Sequence, residues 1–142
     1  MREILFRGKR IDNGEWVEGY LLIGANGNPY IIPIGIARFV HMGDTCVGAY
    51  YLVDPYSVGQ LTGLTDKNGK QIFEGDIVEP VLIEGTHQGF SWGRQVVVFD
   101  RGAFGLKSRR EEITPMCNYA ANVQFIVWGN IHDTPEQLEV SE

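Results

Sequence analysis

His41, Asp44 and Cys46 bring an imidazole, a carboxylate and a thiol within six positions. Such donors hold zinc only when three or four converge at bonding distance, so His87 or the His132-Asp133 pair would have to complete the set. The spacing matches no zinc pattern. The same residues read as a loop histidine ahead of a strand that buries its cysteine, and no metal or other cofactor is expected. Cys46 with His41, or Cys117 with His132, are the nucleophile and base pairs the chain offers. A catalytic cysteine needs a neighbour that lowers its pKa and a pocket that admits substrate. The sequence supplies neither, and a cysteine among apolar neighbours reads as core. Asp66-Lys67-Asn68-Gly69 lacks the further oxygen ligand and distant glutamate of a calcium loop, and a hairpin turn accounts for all four residues. Glu74 and Asp76 flank Gly75 and would do acid-base work if their pKa values were pushed apart. As a turn, the same triplet uses Asp76 to accept from backbone amides and Gly75 for a conformation other residues resist. No catalytic residue is assigned.

Binding residues stand out more than catalytic ones. Phe90, Trp92, Phe99 and Phe104 cluster around Arg94, and small β-barrels present aromatic grooves of this kind to peptides or stack bases on them. Phe90, Trp92, Arg94 and Phe104 are the expected contacts. Phe90 and Trp92 fall in a glycine-rich loop, where a large apolar side chain is either tucked onto the sheet or left for a partner. Both readings stay open. Arg7, Lys9, Arg10, Arg109 and Arg110 are the candidate phosphate contacts. The formal net charge of −6 opposes that role. Residues 1–60 carry five Lys/Arg against six Asp/Glu and residues 61–142 seven against twelve, so the acidity is concentrated in the second half.

These side chains must be placed by β structure. Eighteen glycines and six prolines in 142 residues punctuate the chain into short strands and tight turns, and 44% hydrophobic residues suffice for a core without disulfides. Residues 4–11 and 15–23 form a hairpin about Asp12-Asn13-Gly14. Residues 30–36 are β-rich, and Pro33 confines them to an edge or a bend. Residues 45–53 form a further strand, after which Asp54 caps one helical turn begun by Pro55. Residues 76–84 form a strand that Pro80 marks as an edge or a bulge. A polar loop over 85–93 and a hairpin about Asp100-Arg101-Gly102 follow. Residues 123–128 make the last strand, and Thr134-Pro135-Glu136-Gln137 fits the capping box of a short C-terminal helix. The expected fold is mainly β, with an N-terminal β-hairpin region over 1–60. A C-terminal SH3-like small barrel over 61–142, ending in the short helix, completes it. No apolar leader or membrane-length run is present, which points to the cytoplasm.

Three stretches in order, "REILFRGKRIDNGEWVEGYLL", "VDPYSVGQLTGLTDKNGKQIFEGDIVE" and "VWGNIHDTPEQL", resemble the YopX-like family of small bacteriophage and prophage proteins. The resemblance implies an SH3-type barrel in the second half and a host-cytoplasmic location, and carries no catalytic residues. The first expectation for function is a non-enzymatic binding or assembly module for a host or phage protein, able to self-associate through strand edges such as 30–36. The alternatives are a nucleic-acid-binding accessory protein using the basic residues, and a small cysteine/histidine enzyme.

Overall fold

The computed structural model describes residues 2–34 and 50–139. The chain forms two compact units, Met1–Leu61 and Thr62–Glu142, and it is mainly β, built from antiparallel pairings.

In the first unit, β1 (Phe6–Lys9) pairs with β2 (Trp16–Ile23) across the turn at 11–14, where Gly14 takes φ 73°. β3 (Pro29–Pro33) pairs with β2, β4 (Tyr51–Leu52) with β3, and β5 (Gly59–Thr65) with the far side of β1. The order within this unit is therefore β4-β3-β2-β1-β5. Alternation along the strands sends Ile31 and Val53 to one face, where both are fully buried. Gly8 lies on that face because a Cβ there would meet Val53 at 2.9 Å. The 3₁₀ turn Pro55–Ser57 has the expected cap, with Asp54 Oδ1 accepting from the Tyr56 amide at 3.0 Å.

The edge expected at 30–36 is not one over its described part: β3 lies between β2 and β4, and Pro33 is tolerated because it ends the strand. Residues 35 and 36 lie outside the described residues, as do His41, Asp44, Cys46 and most of the strand expected over 45–53.

In the second unit, β6 (Gln71–Phe73) leads into β7 (Asp76–Leu82), an interior strand of a five-stranded sheet. β8 (Gln95–Asp100), β9 (Ala103–Lys107) and β10 (Ile113–Pro115) follow on one side of β7, and β11 (Val123–Asn130) pairs on the other. The order β10-β9-β8-β7-β11 leaves β10 and β11 as edges, so the closed barrel expected from the sequence is instead an open sheet. Ile72, Val78, Val97, Leu106 and Met116 form its core.

Part of the β11 edge is covered by the turn that follows β5. Asp66 accepts from the Asn68 and Lys70 amides at 2.9 and 2.8 Å through Oδ1 and from the Val127 amide at 3.3 Å through Oδ2. Lys67 N–H donates to the Phe125 carbonyl at 2.8 Å. One carboxylate thus shapes a turn and fastens it to a strand edge that would otherwise lie open.

The C-terminal helix is a 3₁₀ segment, Pro135–Glu139, and the capping box does not form. The Thr134 hydroxyl accepts from the Asn130 amide at 3.2 Å, and Gln137 Oε1 accepts from Arg94 at 2.8 Å. Thr134 is engaged by Asn130 four residues back, and Gln137 has a tertiary partner. No helix among the described residues is long and apolar enough to cross a membrane.

Candidate binding cleft of the second unit

Pro80 determines how the site begins. It stands in mid-strand, where a proline removes a ladder donor. β7 and β8 pair at Ile77↔Val96 and Val78↔Gln95, and pairing resumes at the isolated bridge Val81↔Ser91. Three steps along β7, Val78 to Val81, are therefore met by four along the opposing segment, Ser91 to Gln95. That extra residue is a bulge, and Gly93 within it takes φ 81°. The Pro80 carbonyl accepts from the Trp92 amide at 3.1 Å. The N and C=O of one strand residue point the same way, so the missing donor faces Trp92 and the pairing with β11 is spared. The Trp92 carbonyl that Pro80 leaves without its ladder donor accepts instead from Gln95 Nε2 at 3.3 Å.

The expected 85–93 loop is accordingly tied to β7 at its far end. Leu82 N–H donates to the Phe90 carbonyl and Gly89 N–H to the Leu82 carbonyl, at 2.9 and 2.8 Å. These bonds place Phe90 and Trp92, which are 54% and 41% exposed. Neither of the two readings left open by the sequence is complete. Phe90, Trp92, Tyr119 and Phe125 form an edge-to-face chain with centroid distances of 5.0, 5.6 and 5.6 Å, which runs from the surface to residues packed on the core. Trp92 is anchored at one side and exposed at the other. Burial pushes the Tyr119 hydroxyl above its ordinary pKa, partly offset by hydrogen bonds to Gln95 and Thr114.

A second bulge lies across β7. The β11 register shifts between Val127↔Val78 and Gly129↔Ile77, which sets Trp128 out of the ladder. Glu79, on β7 between the two bulges and 2% exposed, holds both. Its Oε2 accepts from Ser91 Oγ at 2.6 Å and its Oε1 from Trp128 Nε1 at 2.9 Å. Arg94 closes the arrangement from above. Its guanidinium lies 3.9 Å from the Trp128 ring centroid, and Nη1 donates to the Gln137 carbonyl and side chain at 3.0 and 2.8 Å. Arg94 Nε is buried without a hydrogen-bond partner, a cost of about 1–3 kcal/mol offset by the stacking and the two Nη1 bonds.

This framework walls a cleft of about 580 Å³ lined among others by Ser91, Trp92, Arg94, Arg109, Arg110 and Glu112. Arg109 is turned toward the Leu138 carbonyl, with Nη2 at 3.1 Å. Arg110 is exposed and makes no hydrogen bond or ion pair with the described residues. The structure therefore gathers Trp92, Arg94, Arg109 and Arg110, drawn from two separate expected sets, with Phe90 beside them. Phe104 stands apart, against Phe99 at 5.1 Å and packed on the core.

The remaining candidate phosphate contacts belong to the first unit. Arg7 is 8% exposed and, like Lys9, sits over Trp16. Arg10 donates Nε and Nη2 to Asp12 at 2.9 and 2.6 Å while stacking on Tyr51, and that guanidinium holds the Asp12 carboxyl below its ordinary range.

Cys117 is exposed, with its thiol 3.7 Å from Asn118 Oδ1. Asp76 is 1% exposed and accepts from the Phe73 amide at 2.8 Å, the turn role expected for it. Sequence reasoning missed Glu79, Trp128 and Gln137. The "VWGN" stretch and the alternation broken at Gly129 were the available signals for Trp128.

A family model described as YopX protein matches residues 5–139. The X-ray crystal structure of protein yopX from Bacillus subtilis superposes with a TM-score of 0.55 at 16% identity, over 97% of this chain and 99% of that one. At that identity the likeness speaks for the fold alone. No curated protein sequence matches.

Proposed function

The chain belongs to the YopX family, and we propose that this protein acts as a non-enzymatic binding module for a protein partner, with the Trp92–Arg94 cleft as its partner surface. One observation carries this reading: two bulges on opposite sides of β7 are held by the same buried carboxylate, Glu79, so that Trp92 and Arg94 stand at a cleft rim in fixed positions. Groups fixed before binding lose little conformational freedom on association, and an exposed, anchored tryptophan beside arginines is the composition that dominates binding energy at interfaces.

The test is selection of a random dodecapeptide display library on the folded protein. Enriched sequences should lose binding in Trp92→Ala, with circular dichroism and thermal melting showing that the variant is folded. A library that yields no enrichment, or binders indifferent to Trp92→Ala, refutes the proposal.

A second reading, self-association, is supported by the first unit. Tyr20, Leu22 and Leu52 occupy the same face of its sheet by strand register and are 43%, 49% and 38% exposed. Sedimentation equilibrium should then give a mass above 15.9 kDa, and a monomer at high concentration excludes it.

A further inference from the structure

Trp92 lines two hollows. One is the arginine cleft. The other is a smaller hollow of about 350 Å³, lined by Leu82, Tyr119, Ala120, Val123 and Trp92 itself together with the polar Thr114, Asn118 and Asn122. Resting on the reading of this surface as a partner site, we propose that the ligand is an extended polypeptide segment. It places a carboxylate side chain in the arginine cleft and, two or four residues away, an apolar side chain in the smaller hollow.

Charge selects the first half of that ligand. Arg94, Arg109 and Arg110 line the cleft against Glu79 and Glu112, a formal balance of three to two. Arg110 stands exposed at the cleft without a partner among the described residues. This balance suits one carboxylate. A phosphate backbone needs clustered positive charge along its length, and this chain is otherwise acidic, with a net charge of −6.

The shared residue limits the spacing. Trp92 lines both hollows, so the two side chains of the ligand lie close together in its sequence. Side chains on one side of an extended chain recur at every second position, about 6.5–7 Å apart. The smaller hollow sets leucine, valine, alanine, tyrosine and indole against one threonine and two asparagines, and that apolar majority selects an apolar second side chain. β10, the edge strand of the sheet, contributes Thr114 to this hollow, and an edge beside a pocket is where an extended chain finds main-chain partners.

The dodecapeptide selection distinguishes this inference from the function proposed above. Enriched sequences should share Asp or Glu two or four positions from a leucine-sized apolar residue. In a fluorescein-labelled enriched peptide, replacing that acid by its amide should weaken binding at least tenfold, measured by anisotropy. Arg110→Ala should shrink the acid-to-amide difference to below threefold. Ala120→Phe, which fills the smaller hollow, should abolish the preference for the apolar residue. Enrichment of sequences without the acid overturns this inference and leaves the binding module standing; no enrichment removes both. An acid-to-amide change of under threefold, or tighter binding of a single-stranded oligodeoxythymidine at the same salt, also overturns it.

Discussion

Asp66→Ala isolates the residue that fastens the β5–β6 turn to the sheet. The carboxylate accepts from three backbone amides and is 8% exposed. The Asn68 and Lys70 amides belong to exposed residues and regain water when the carboxylate is lost, so each costs near the low end of the range for charge-assisted bonds. The Val127 amide is in a half-buried strand and loses its acceptor with poorer replacement. Bonds to charged groups contribute about 1.5–3 kcal/mol each, which, with the two turn amides at the low end, gives a total of roughly 4.5–6 kcal/mol. With a urea m-value of about 2 kcal/mol/M, the unfolding midpoint should fall by about 2–3 M. The assay is urea denaturation followed by the fluorescence of Trp92 and Trp128 in a Trp16→Phe background, so that the signal reports the second unit. Asn68→Ala is the control for general disturbance of the turn. Asp66→Asn keeps one acceptor but turns an amide donor toward Val127, and should fall between the two. A loss below about 1 kcal/mol for Asp66→Ala, or one equal to that of Asn68→Ala, would show that the turn needs no carboxylate and would refute the reasoning.

Three further outcomes are expected. Gly129→Ala should destabilise by roughly 1–3 kcal/mol from backbone strain alone, because φ is 140° and a Cβ would collide with Thr134 Oγ1; Thr134→Ala should recover the steric part in a double-mutant cycle of thermal melts. Gly93→Ala has open space around the added methyl, so its cost should be confined to the positive φ, about 1–2 kcal/mol, and a larger value would mean that the bulge is packed. Tyr119, whose folded pKa is raised above the ordinary value near 10, contributes stability that is complete below that value and lost as pH rises through the folded one; urea midpoints should therefore fall between pH 9 and pH 11, and fall less in Tyr119→Phe.

Local chemistry was legible in the sequence and long-range placement was not. The turns at Asp12-Asn13-Gly14, at Asp66 to Gly69 and at Arg101-Gly102 rest on residues that tolerate positive φ, and these act within a few positions. Asp54-Pro55 and Pro80 were readable for the same reason, since a proline's missing donor disturbs its own strand. The site has a different origin. Glu79 meets Trp128 across 49 positions and Arg94 meets Gln137 across 43, and neither contact leaves a periodic trace. The capping box failed because Thr134 is engaged by the neighbouring Asn130 and Gln137 by the distant Arg94, and the second competition is one that local pattern does not register. Barrel closure failed for a related reason: strand count and turn positions were readable, but whether the β10 and β11 edges meet is decided by curvature and pairing.

The extra residue opposite Pro80 has an evolutionary consequence. Deleting one codon between Ser91 and Gln95 would realign the two strands, yet the realigned ladder would still lack the proline's donor. Replacing the proline alone would supply a donor with the opposing strand still one residue out of step. Either change by itself costs stability, so neither opens a smooth route back to an unbroken ladder. The cleft is thus held by a two-step ratchet, and its descendants should keep or lose the insertion and the proline together.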